Sequence, residues 1–130
     1  MASFTIQLSS DPKWLHVARA SALAGVSTMP TAHVDFLDDA VLAIGESVLE
    51  VAVTPGVEAL TVDVATSPER FEVVVEGSGA NIDGADVGTG LFAMVMEGLA
   101  AGGMQEATPT TYTVRFGMSA PGPTELPLTT

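Results

Sequence analysis

The sequence predicts an α+β fold in which helices cover one face of a mixed, mostly antiparallel sheet. Three observations lead to this prediction: strand segments in which apolar and polar residues alternate, helix segments with apolar residues three and four positions apart, and the order of these segments. That order is strand, helix, helix, strand, strand, glycine-rich loop, helix, strand. We expect one domain over residues 1–118 and a disordered tail over residues 119–130, which contain three prolines.

The first predicted strand and helix come at the start of the chain. Residues 3–8 alternate between polar and apolar side chains, which indicates a half-buried strand. The helix is predicted to begin at the SSDP segment, residues 9–12, because proline is tolerated in a first helical turn. It is predicted to extend to about residue 24, with Gly25 as its C-terminal cap. Trp14 is expected to pack in the core or within this helix.

The longest helix pattern covers residues 31–53, from a predicted cap at Thr31 to a stop at Pro55-Gly56. One side is apolar and is expected to face the core: Leu37, Val41, Ile44, Val48 and Val51. Another side carries four carboxylates: Asp35, Asp39, Glu46 and Glu50. Like charges four residues apart destabilise a helix by about 0.2–0.5 kcal/mol per pair. This acidic side is therefore either a solvated surface or a metal-binding or catalytic face.

The second half of the chain is predicted to contain three strands and one helix. The strands cover residues 57–65, 71–76 and 110–116, and the first two are joined by a hairpin-length turn. A glycine-rich segment, residues 77–90, leads into a helix over residues 91–100 that Gly102-Gly103 should end. The inward-facing side of this helix is expected to consist of Leu91, Met94, Val95 and Leu99.

Charge and composition exclude several classes of function. The net charge is −12 and the chain has only four Lys and Arg residues, so it cannot neutralise a nucleic-acid backbone. An acidic surface suits a basic protein partner better. The absence of cysteine excludes disulfides and cysteine-ligated metals. No apolar run approaches the length of a membrane span and no signal peptide is evident, so we expect a cytoplasmic protein without membrane attachment.

The order and spacing of five segments resemble the anti-sigma regulatory factor family, serine-protein kinases of bacterial partner-switching systems. The segments are DPKWLHVARA, LDDAVLAIGESVLEVA, FEVVVEGSGANID, GTGLFAMVMEGLA and TTYTVRF. In that family they are the first helix, the N-box helix, the first and second glycine boxes, and the closing strand. The resemblance implies the histidine-kinase-like ATPase (GHKL, or Bergerat) fold, an α/β sandwich.

The resemblance also assigns roles to single residues. Glu46 occupies the position of the general base in the N-box, but Glu50 stands where active members have a Mg²⁺-binding asparagine. In the first glycine box, Gly77 takes the place of the adenine-reading aspartate and Gly79 is the first glycine, with Asp83 following. A register shifted by one residue offers Glu76 for the aspartate but loses the glycine.

The second glycine box keeps Gly88 and Gly90, followed by Leu91, and completes the set of nucleotide-contacting positions that the resemblance implies. No Lys or Arg occurs between Phe71 and Val114, where active members place a cation in the lid. We therefore expect nucleotide chemistry to be weakened or lost, with no cofactor. ATP and Mg²⁺ would be needed only if the family activity is retained.

These observations predict an anti-sigma-like regulatory protein that binds a sigma factor or its antagonist. One alternative is an active ATP-dependent serine kinase acting on an anti-sigma antagonist, and another is a scaffold for an unrelated protein. We also expect a homodimer, because residues 1–29 contain only one acidic residue and suit self-association in a chain of this charge. Phe4, Trp14 and Leu15 are the candidate contacts.

Overall fold

The structure, a computed structural model, describes residues 2–29, 34–79, 91–99, 102–108 and 110–119. The described strands are β1 (Ala2–Ser9), β2 (Ala59–Thr66), β3 (Arg70–Ser78), β4 (Gly102–Ala107) and β5 (Thr111–Ser119). The described helices are α1 (Leu15–Val26), α2 (Val34–Ala52) and α3 (Leu91–Gly98), with a single 3-10 turn, Pro12–Trp14, before α1. The predicted α+β class is confirmed, and the predicted helices and strands occur in the predicted order with one addition, β4 between α3 and β5.

The strands form one five-stranded sheet in the order β1-β2-β3-β5-β4. Every neighbouring pair is antiparallel, so the expected mixed sheet is wrong for the described strands. Strand β4 was not predicted, because Gly102 and Gly103 at its start indicated only the end of the preceding helix. The β4 sequence GGMQEA has little intrinsic strand propensity, and its conformation depends on pairing with residues 112–117 of β5.

The helices pack on one face of this sheet, α1 against β2 and α2 against β3 and β5. Alternate residues of the three central strands point to the helices and are buried. Phe71 lies at the centre of this layer and is fully buried. Its ring meets Phe36 of α2 and Phe116 of β5 edge-to-face, with centroids 5.7 and 5.9 Å apart. Such pairs stabilise a core by about 0.5–1.5 kcal/mol each beyond the area that they bury.

The start of the chain differs from its prediction in two places. Gly25 lies inside α1 and does not cap it, and the helix instead ends at Ser27, whose hydroxyl donates to the Leu23 carbonyl at 2.8 Å. A methyl group at Gly25 would lie 2.3 Å from a ring carbon of Phe4 on β1. The glycine thus allows the helix to approach the strand closely. Trp14 is 41% exposed, so its expected place in the core is wrong.

Helix α2 has the predicted course, although the proposed cap Thr31 lies outside the described residues. Of its predicted core residues, Ile44, Val48 and Val51 are buried, but Val41 is 44% exposed. Val41 lies at the edge of the apolar side of α2, where side chains no longer face the sheet. The buried Ser47 hydroxyl donates to the Ala43 carbonyl at 2.7 Å, which satisfies it within the helix.

The side of α3 that faces the core differs from the predicted one. Met94, expected to face inward, is 70% exposed, whereas Met96 is buried. Six of the eight α3 residues are apolar, so periodicity alone cannot select its inner side. The side chains of the other predicted inward residues, Leu91 and Val95, lie outside the description, and Leu99 is half-buried against the core.

The turn between β2 and β3 and the last residue of β5, Ser119, lie at the same end of the sheet. The turn between β2 and β3 is closed by the Ser67 amide, which donates to the Arg70 carbonyl at 2.8 Å, as predicted for a hairpin. Arg70 also donates to the Ser119 hydroxyl at 3.1 Å. Ser119 is therefore the last residue of β5 and is not part of a tail, while the rest of the predicted tail, residues 120–130, lies outside the described residues. None of the helices in the described ranges is long and apolar enough to cross a membrane.

The contact between Gly25 and Phe4 can be tested with a double-mutant cycle. Gly25→Ala should destabilise the wild-type chain, because the Phe4 ring must move. In a Phe4→Ala background the same substitution should be favourable by up to about 1 kcal/mol, the helix-propensity difference. We expect a coupling free energy of about 1 kcal/mol or more from urea unfolding. Gly98→Ala, with no atom within 4 Å of the added carbon, is the control and should not destabilise. A Gly25→Ala effect that is identical in both backgrounds would contradict this contact.

Candidate functional site

The predicted site residues on α2 and β3 meet near the C-terminal end of α2. Gly77 of β3 is paired directly with Tyr112 of β5 in the sheet. The Tyr112 hydroxyl donates to a carboxylate oxygen of Glu50 on α2 at 2.9 Å. Glu46 lies one helical turn before Glu50, and both glutamates are half-buried. The structure thus brings Glu50 and Gly77 into one cluster and adds Tyr112, which the sequence analysis did not single out.

The space above Gly77 is filled by two valines. A side-chain carbon at this position would lie 2.6 Å from a methyl group of Val51 and 2.9 Å from one of Val57. Gly77, Val51 and Val57 are all buried, and valine has few alternative rotamers. Any larger residue at position 77 would therefore overlap the core, and an aspartate that reads adenine does not fit there.

The shifted register, which offered Glu76, leads to the opposite face of the sheet. Successive side chains of a strand point to opposite faces, and Glu76 is exposed whereas Gly77 is buried. The Thr113 hydroxyl donates to Glu76 at 3.4 Å on that outer face. Neither register therefore places an acidic side chain on the α2 side of β3 at this level.

Glu50 has a structural role in this cluster. Tyr112 is only 1% exposed, and a buried phenol requires a hydrogen-bond partner. Glu50 supplies one acceptor, which joins the end of α2 to β5. The sequence did contain a signal for this contact, because Tyr112 occupies an inward-facing position of TTYTVRF and must bring its hydroxyl to a polar group.

The acidic side predicted on α2 does not form a metal site in the described part of the chain. Asp35 and Asp39 are exposed, while Glu46 and Glu50 are half-buried. Within the described ranges no three His, Asp or Glu side chains converge in a way that could hold a metal ion. Glu50 stands at the position for which the family resemblance implies a Mg²⁺ ligand. Its carboxylate instead accepts a hydrogen bond from Tyr112.

The backbone conformation and the limited space at position 79 both favour glycine. Its φ angle is +87°, which favours glycine, and a side-chain carbon there would lie 2.7 Å from the Gly56 carbonyl oxygen. Its amide donates to the Thr110 carbonyl at 2.8 Å. Three other predicted site residues, Asp83, Gly88 and Gly90, lie outside the described residues. Leu91 is the first residue of α3, and its side chain also lies outside the description.

The four cationic side chains of the chain are distributed away from the Glu50 cluster. Lys13 lies over the Trp14 ring, 5.6 Å from its centroid, and Arg70 donates to Ser119 at the far end of β3. Arg115 lies on the outer face of the sheet, paired with Val74. Arg19 of α1 lies beside Gly45 of α2. None of these contacts places a cation against Glu50.

Two comparisons with known proteins identify no relative of this chain. A scan against models of protein families finds no match to this chain, and a search of curated proteins also finds none. Function is therefore argued from the residues and their geometry.

The packing above Gly77 can be tested by adding a methyl group. Gly77→Ala should lower the free energy of unfolding by about 1–3 kcal/mol, because the valine methyl groups must move. The loss should shrink in a Val51→Ala background, which opens space at the position of closest approach. Chemical denaturation of the two single variants and the double variant measures both effects. An unchanged stability for Gly77→Ala would show that the space is not filled.

Proposed function

We propose that this chain is an anti-sigma-like regulatory protein that acts by binding a protein partner, a sigma factor or its antagonist, and that its nucleotide chemistry is weakened or lost. The observation that carries the second half of the proposal is the filled space above Gly77. The first half is supported by the order of the segments and by helices that pack on one face of the sheet, as the histidine-kinase-like ATPase sandwich requires.

Three features of the α2 end oppose ATP binding. Position 77 cannot carry the adenine-reading aspartate, Glu50 replaces the Mg²⁺-binding asparagine, and Glu50 is engaged by Tyr112. A like charge about 4 Å from a phosphate costs on the order of 4 kcal/mol at an effective dielectric constant near 20, before screening by salt. Micromolar affinity is worth only about 8 kcal/mol, so one such contact at Glu50 would remove about half of it.

The second candidate function is an active ATP-dependent serine kinase. One observation favours it: Glu46, at the general-base position, is half-buried on the same helix as Glu50 and one turn away. The residues that would hold ATP and Mg²⁺ in this alternative include Gly88 and Gly90. A scaffold for an unrelated protein is the third candidate, and it shares the binding role without the sigma-factor system.

The loss of nucleotide binding can be tested by thermal unfolding in Mg-ATP. A ligand that binds only the native state, at a concentration one hundred times its dissociation constant, stabilises by about 2.7 kcal/mol. We expect no concentration-dependent rise in melting temperature up to millimolar ATP, compared with Mg²⁺ alone. A saturable rise would contradict the proposal, and phosphorylation of an anti-sigma antagonist that Glu46→Ala abolishes would favour the kinase. Binding of a purified sigma factor or antagonist, followed by calorimetry, separately tests the partner.

We also propose that the chain forms a homodimer through β1 and α1. Among the described strands β1 pairs only with β2, so its other edge can accept a further strand. Its sequence ASFTIQLS has no charged residue and no proline, the usual devices against edge pairing. Trp14, close to this edge in the chain, is exposed.

Light scattering tests this dimer. A dimer mass at micromolar concentration is expected, and it should be favoured by salt because the chain has a net charge of −12. Trp14→Ser should weaken the dimer without unfolding the domain. Leu15→Glu is a poorer test, because Leu15 is half-buried against the core and the variant can lose stability. A monomer mass at every protein and salt concentration would refute the homodimer.

A further inference from the structure

The outward side of α2 is unusually apolar for a surface helix. Its exposed side chains include Leu42, Leu49 and, in the turn that continues the helix, Val53, which are 53, 38 and 64% exposed. The further large apolar side chains exposed in the described residues are Trp14, Val41 and Met94, of which Val41 lies at the margin of the buried side. Single exposed apolar residues are ordinary on protein surfaces. Three on one side of a helix form a patch, and patches mark interaction sites.

The spacing aligns these residues with acidic ones in a single stripe. Residues 35, 38, 42, 46, 49 and 53 follow one another at steps of three and four, which is one side of a helix. We call this set the outer stripe: Asp35, Asp38, Leu42, Glu46, Leu49 and Val53. Over these positions α2 presents about 27 Å of surface, at 1.5 Å per residue. The same step of three and four is the pattern by which two helices pack side by side.

The outer stripe has a direction. Its N-terminal third is acidic, with Asp35 and Asp38 beside the exposed Asp39. Its C-terminal third is apolar, with Leu49 and Val53 separated by one turn. Between them Leu42 and Glu46 alternate. No Lys or Arg occurs anywhere in α2 to neutralise these carboxylates.

We propose that the outer stripe of α2 is a docking site for an amphipathic helix of a partner protein, with apolar residues at helical spacing and Lys or Arg at one end. The apolar residues of the partner cover Leu42, Leu49 and Val53. Its basic residues pair with Asp35 and Asp38 at the acidic end of the outer stripe. This helix-on-helix mode buries apolar surface and compensates the like charges of α2 at the same time.

Charge decides between this occupant and the others. A second copy of α2 would place the three carboxylates of one outer stripe, Asp35, Asp38 and Glu46, against the same three of another, which is repulsive and disfavours self-association through this side. An anionic membrane surface or a nucleic acid would meet the same repulsion. The inference rests on the proposed function only in that the partner is a protein, and it gives that partner a chemical description.

A synthetic helical peptide tests the proposal directly. The probe is a 20-residue peptide, roughly five turns, with leucine at positions three and four apart and arginine at one end. The control peptide has the same leucines and glutamate in place of arginine. Binding to the full chain is followed by calorimetry at low and high salt. We expect the basic peptide to bind more tightly by at least about tenfold, with a difference that decreases in salt.

Variants of the protein locate the binding. Leu42→Ser and Leu49→Ser remove exposed side chains, so the domain should remain folded, which circular dichroism and thermal unfolding verify. Each variant should bind the basic peptide about tenfold more weakly than the wild type does. Met94→Ser, an exposed apolar residue on α3, is the matched control and should leave the affinity unchanged. Asp35→Lys with Asp38→Lys should remove the preference for the basic peptide.

Several outcomes would overturn the proposal. Equal binding of both peptides, or equal binding by Leu42→Ser, Leu49→Ser and Met94→Ser, would do so. A dimer that becomes monomeric in Leu49→Ser without peptide would show that the outer stripe joins two copies of the chain instead. If Leu49→Ser still binds the sigma factor or antagonist, the docking site is wrong while the anti-sigma function stands. If the wild type binds the basic peptide but neither of those proteins, the site stands and the anti-sigma function falls.

Discussion

The contact of Gly77 with Val51 and Val57 is the constraint on which the arrangement of this domain depends. It brings the last turn of α2, and the connection that follows it, onto the backbone of β3. Because Val51 is fixed there, the preceding residue Glu50 lies where the buried Tyr112 hydroxyl can donate to it. One close approach thus sets the position of α2 on the sheet and the role of its last glutamate. A side chain at position 77 would separate these elements.

The same contact links the fold to the proposed function. In the family that the chain resembles, the corresponding strand end carries an aspartate that faces a nucleotide. Here valine methyl groups occupy that side of β3, and the strand contributes to the core at the level where the family binds adenine. Under the proposed function, this packing leaves no room for the adenine-reading aspartate.

Helix α2 divides into three sides with different roles. The inner side, with Ala40, Ile44 and Val48, is buried against the sheet. Glu50 lies on a second side, where it accepts a hydrogen bond from Tyr112 of β5, and the outer stripe faces away from the sheet with exposed leucines among carboxylates. A helix that only covered a sheet would be polar on its outer side. Stability does not require the outer apolar residues, which is why we assign them to a partner.

Much of the fold could be predicted from the sequence because most strands alternate regularly and α2 is strongly periodic. Prediction failed where tertiary contacts override local pattern. β4 depends on β5 for its conformation, Gly25 is required by the ring of Phe4, and α3 is apolar on nearly every side. The site was predicted in part. Glu50 and Gly77, which the family resemblance assigned to one nucleotide site, lie in one cluster, but the valines over Gly77 and the partner of Glu50 come from residues distant in sequence.

The most direct test of this account is a nuclear Overhauser measurement on protein labelled at valine methyl groups. We predict cross-peaks from the methyl groups of Val51 and Val57 to the Gly77 α-protons, because these methyl groups lie 2.6 and 2.9 Å from where a side-chain carbon on Gly77 would be. These cross-peaks should keep their intensity when Mg-ATP is added. Their absence, or their loss on addition of Mg-ATP, would show that the space above Gly77 is open to a ligand and would contradict the central claim.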